Sequence, residues 1–154
     1  MSDAPHDLGH DDESLATVAA ARRAAADRLV TPWWYHPVLG VLFGLYAVAL
    51  ASGEPWLMVA GIVVFFAGVG LLVWSYRRLT GMWISGYQPG PASRWAQLMG
   101  VVGALGSLAA MLLAWYTDVA FGWIWVIAAA LALGVVVTGR QYDRVLRADL
   151  RGEL

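Results

Sequence analysis

The sequence predicts an all-α membrane protein: a bundle of four transmembrane helices made of two antiparallel hairpins, preceded by an amphipathic helix on the cytoplasmic side. Three observations predict it. The 154 residues are 60% apolar and only 14% charged, against about 45–50% and 25% in ordinary soluble domains. Four uninterrupted stretches of about 19 to 22 residues carry no Asp, Glu, Lys or Arg. All ten basic residues are arginines, and every one falls on the same side of those stretches.

The stretches are residues 33–51, 56–75, 95–116 and 119–139. At 1.5 Å per residue each matches a hydrocarbon core about 30 Å thick. Backbone polar groups cannot stay unpaired in lipid, and nothing in the pattern alternates as barrel strands would, so these stretches must be helical. The second contains eleven Leu, Ile, Val or Phe residues, which favour insertion by roughly 3 to 7 kcal/mol. Tryptophan and tyrosine mark the boundaries: Trp33, Trp34 and Tyr35 open the first stretch, Trp56 opens and Trp74 closes the second, Trp95 opens the third, and Trp115 and Tyr116 close it. Such amphipathic rings prefer the headgroup level and form two aromatic belts.

Orientation follows from the arginines. Arg22, Arg23 and Arg28 precede the first span, Arg77, Arg78 and Arg94 lie between the second and third, and Arg140, Arg144, Arg147 and Arg151 follow the fourth. The two remaining connections carry no basic residue. The positive-inside rule therefore places both termini in the cytoplasm. Arginine to the exclusion of lysine reads as a GC-rich bacterial genome, hence a bacterial inner membrane. Ala49-Leu50-Ala51 has the form of a signal-peptidase triplet, but the apolar run before it is too long and too aromatic for a signal core, and the span is expected to be retained.

Outside the spans the chain divides into three parts. Residues 1–13 are an acidic tail that nothing can order. Residues 14–31 are Ala-rich and expected to form a cytoplasmic or interfacial helix, lying on anionic headgroups or against a partner. Residues 140–154 are expected to extend the fourth helix into the cytoplasm, with Asp143 and Arg147 as an i,i+4 pair. Between spans two and three, Trp83, Ile84 and Tyr87 are too apolar to be freely solvated and read as an interfacial anchor, with a docking loop as the alternative.

The spans are rich in small residues at helix-packing spacing. Gly40 and Gly44 share a face of the first, Gly61 and Gly68 are a heptad apart in the second, Gly100, Gly103 and Ser107 line the third, and Gly134 sits in the fourth. Small residues let helices approach where the solvent is itself apolar. Gly100, Gly103 and Gly106 cover more of the third span than one neighbour needs.

Chemistry is scarce. There is no cysteine, which removes disulfides, thiolate metal sites and thiol nucleophiles. No nucleophile elbow, zinc-protease helix, phosphate loop or paired carboxylates at depth occurs. No catalytic residue, metal or cofactor is expected. His36 lies at the inner edge of the first span and reads as a hydrogen-bonded interfacial histidine. The net charge of −1 speaks against nucleic acid. Four short spans are similar in length to the small multidrug-resistance transporters, but the first span lacks the carboxylate that marks them.

The WWYHP opening of the first span and the YRRLTGMWISGYQPG segment after the second resemble small four-span membrane proteins of high-GC Gram-positive bacteria, over residues 31–139. The resemblance implies an inner-membrane protein and brings no activity or functional residue with it. The expected role is non-enzymatic: an accessory or regulatory subunit acting through helix packing and its cytoplasmic segments, with the lipid bilayer and a membrane-protein partner or a second copy as its contacts. The alternative is a homo-oligomeric transporter or channel for an apolar or weakly polar solute, with Tyr46 and Ser107 facing the pathway.

Overall fold

The computed structural model describes residues 31–80 and 90–151, together with the isolated helical positions Ser14, Thr17, Val18, Ala20 and Ala24. The loop residues Trp83, Ile84 and Tyr87 and most of the expected 14–31 helix lie outside the described residues. Four helices follow in order: α1, Tyr35–Ala51; α2, Pro55–Thr80; α3, Ser93–Tyr116; and α4, Phe121–Arg151. No strand occurs among the described residues. Three of the helices, α2, α3 and α4, are long and apolar enough to cross a membrane, which marks a membrane protein.

The helix bounds differ from the apolar runs for local reasons. α1 begins at Tyr35 rather than Trp33, because Pro32 and the two tryptophans form a turn whose Pro32 carbonyl accepts the Tyr35 amide at 3.0 Å. Its 17 residues make it the shortest of the four, roughly 26 Å at 1.5 Å per residue. α4 begins at Phe121, where the Trp123 amide bonds the Ala120 carbonyl. It does not stop at Gly139 but runs 31 residues to Arg151, roughly 46 Å. Ser52, Gly53 and Glu54 join α1 to α2. Gly53 takes φ +72°, a left-handed conformation that glycine adopts without steric penalty.

Helix α1 is the hub: it packs on α4, α3 and α2, while α3 also packs on α4. The seam between α1 and α4 is the closest. A Cβ on Gly40 would lie 2.6 Å from the Ala132 carbonyl oxygen, and one on Gly44 would lie 3.1 Å from that of Ala128. The two glycines and the two alanines are each four residues apart, so one small-residue face meets another, backbone against backbone. Ala47 of α1 and Ile124 and Val135 of α4 are fully buried, as is Ala110 of α3. By contrast α2 rests on α1 and makes at most marginal contact with α3 and α4.

The hydroxyls of Ser107 and Thr138 are satisfied inside their own helices. The Ser107 hydroxyl donates to the Gly103 carbonyl at 2.8 Å, and the Thr138 hydroxyl donates to that of Gly134 at 2.8 Å. Such back-bonding removes the cost of carrying a hydroxyl through lipid. At the helix ends, Trp33, Trp56, Trp74 and Trp123 are more than half exposed. The Arg78 guanidinium lies 4.4 Å above the Trp74 ring, a cation–π contact at the arginine-bearing end of α2.

Candidate functional site

The buried stripe of α4 generates the site. Ile124, Ala128, Leu131, Val135 and Gly139 are buried on one face, at steps of four, three, four and four residues. One more step of four past Gly139 lands on Asp143, still on the face that meets α1. There His36, in the first turn of α1, is buried at 6% exposure. Its Nε2 lies 2.8 Å from Asp143 Oδ2. A carboxylate only accepts hydrogen bonds, so Nε2 carries the proton. Nδ1 is left buried with no hydrogen-bond partner among the described residues.

Gly139 makes the approach feasible, since a Cβ there would collide with the His36 ring at Nδ1. The other carboxylate oxygen is also occupied: the Thr31 hydroxyl donates to Asp143 Oδ1 at 3.1 Å. Tyr76, near the end of α2, hydrogen-bonds Thr31 in turn. The Tyr35 ring packs beside these groups, tilted against Tyr76 at 5.5 Å and edge-on to His36 at 5.3 Å. One polar knot thus ties α1, α2 and α4 together at the arginine-bearing end.

The expected Asp143–Arg147 side-chain pair is replaced by something else. Arg147 Nε donates to the Asp143 backbone carbonyl at 3.1 Å, while the carboxylate turns inward to His36 and Thr31. Burial decides this: a carboxylate hydrogen-bonded by two partly buried donors is held more tightly than one paired with an exposed arginine.

Beside the knot runs a cavity of about 380 Å³, within the range of ligand pockets. Its floor is Leu39 and Phe43 of α1, one wall is Phe65, Phe66, Val69 and Val73 of α2, and the other is Ala96, Met99 and Gly100 of α3. The knot and Arg147 line one end. The long side is open, since Phe66 is 67% exposed and a Cβ on Gly100 would meet nothing within 4 Å. A second cavity of about 310 Å³ adjoins the knot, lined by Pro32, Trp33, Arg140 and Arg144 and sharing Thr31, His36, Asp143 and Arg147 with the first.

Most of the small residues singled out in the sequence lie at helix contacts. Gly40 and Gly44 face α4, Gly61 faces Ala49, Gly68 faces Leu42, Gly103 faces Phe43 and Gly134 faces Val102. Gly100 alone of that set is open, and it lines the cavity. Ser107 is buried at 1% exposure, and Tyr46 stacks on Phe65 at 4.8 Å; neither lines either cavity. His36 and Asp143 offer two metal donors, and no group of three or more His, Asp or Glu side chains converges among the described residues. Structural metals take about four.

Comparison with protein families, with curated proteins and with solved structures gives no match.

Proposed function

We propose that the protein is a non-enzymatic integral protein of a bacterial inner membrane, acting as an accessory or regulatory subunit by association. In this reading all four helices cross the bilayer as two antiparallel hairpins. Both termini lie on the cytoplasmic side, with residues 14–31 as an interfacial helix. Arg77 and Arg78 at the end of α2, Arg94 at the start of α3 and the four arginines of the α4 extension support that threading.

The observation that carries the role is the placement of α2. It packs chiefly on α1, and Val59, Val63, Val64, Phe66 and Leu71 are each more than half exposed along it. In lipid a helix is held by packing rather than by the hydrophobic effect. A span with one main neighbour is therefore the natural place for a further helix to seat. Photocrosslinking in native membranes tests this. A probe at Val63 of α2 should trap one defined membrane protein, or a second copy, while a probe at Leu133 on α4 should not. Equal capture of many proteins from both positions would sink the reading.

A further inference from the structure

The two cavities meet at one polar knot yet differ in character. The first is an apolar trough open along its length, whereas the second is basic: Arg140, Arg144 and Arg147 line it against the single carboxylate of Asp143. That carboxylate is already capped on both oxygens, by His36 and by Thr31, which blunts its repulsion of an incoming anion. Arg147 uses Nε on the Asp143 carbonyl and keeps its two terminal amino groups as donors. An apolar trough that shares Thr31, His36, Asp143 and Arg147 with an arginine-lined compartment matches a molecule with a long hydrocarbon part and an anionic head.

We propose that this flank holds one anionic membrane phospholipid, with an acyl chain between Phe66 and Val69 of α2 and Met99 and Gly100 of α3, and its phosphate on Arg140, Arg144 and Arg147. Three features converge on a lipid rather than a soluble anion. The trough lies between helices long and apolar enough to cross a membrane. Its wall residue Phe66 is itself exposed, so a chain can slide in sideways. The arginines stand at the end where this threading meets the cytoplasmic leaflet, which carries the anionic lipids. The inference rests on the membrane reading and is independent of the accessory role.

Native mass spectrometry of the full chain in detergent tests it, with phosphatidylglycerol and phosphatidylcholine of identical chains as probes. One phosphatidylglycerol should stay bound under activation that strips phosphatidylcholine. The double variant R140Q/R144Q should lower its retention roughly tenfold or more without changing phosphatidylcholine. Gly100→Leu, which adds bulk to the trough and meets no neighbour, should lower phosphatidylglycerol retention with the arginines intact. Equal retention of the two lipids, or an unchanged R140Q/R144Q variant, overturns the proposal. Competition by water-soluble glycerol phosphate at equal concentration also overturns it, by showing an anion site without a chain. Failure of the crosslinking experiment on α2 leaves these outcomes unaffected.

Discussion

The seam between α1 and α4 and the flank between α2 and α3 are built from the same materials and end differently. Both carry glycines in apolar helices. At the seam, Gly40 and Gly44 face the carbonyls of Ala132 and Ala128, and two backbones close on each other. Beside the flank, the Phe65 ring of α2 meets Phe43 of α1 edge-on and stacks on Tyr46, with centroids 4.8 Å apart in each pair. Gly100 across the gap has nothing to meet. A glycine closes an interface where a neighbouring helix reaches it, with backbone at Gly40 and Gly44 or with a side chain as Phe43 does at Gly103. At Gly100 no neighbour arrives, and room is left instead.

The largest expected effect breaks the seam. Gly40→Leu drives a side chain into the Ala132 carbonyl, which cannot move without moving α4. Overpacking of this kind costs about 3 kcal/mol or prevents assembly altogether, measured as thermal unfolding and monodispersity in detergent. The matched change on the flank, Gly100→Leu, should stay within about 0.5 kcal/mol of the parent. If the two variants behave alike, the contrast between seam and flank is wrong.

Gly139→Ala comes next. The added methyl displaces the His36 ring, leaving Asp143 short of one donor and the imidazole short of its acceptor, at about 1–3 kcal/mol for such unmet buried groups. The His36 ring nitrogen resonances in an NMR spectrum should shift with it, and an unperturbed histidine signal would show that the ring does not depend on Gly139. Thr31→Val is milder, about 1 kcal/mol, since His36 still holds one carboxylate oxygen. Chemical unfolding of that variant and of Thr31→Ser separates loss of the hydroxyl from loss of bulk, because serine should recover most of the difference.

Much of the fold is legible in the residues, because the controlling physics is local. An apolar run in lipid has no choice but to be helical, so α2, α3 and most of α4 can be read directly. The start of α1 is less legible: Trp33 and Trp34 are apolar enough to belong to a span, yet the Pro32 turn holds them outside the helix. The polar knot is hidden for a different reason. His36 and Asp143 are separated by 107 residues, and their meeting depends on the register of α4 on α1, which no local pattern states. One signal was available. The stripe through Ile124, Ala128, Leu131, Val135 and Gly139 keeps its period past the end of the apolar run and lands on Asp143 and Leu146. Read only for charge, that segment looks like a solvated helix end with an i,i+4 pair. Continued as a packing stripe, it points a carboxylate at α1. The flank cavity had no comparable signal, since it arises from what α2 and α3 fail to touch.

The most direct measurement is a structure of the full chain in nanodiscs containing phosphatidylglycerol. Elongated density is expected along Phe66, Val69 and Met99, ending in a headgroup against Arg147 and Arg144. Helix α2 collapsed onto α3, with Phe66 packed on Gly100 and no density between them, would contradict it.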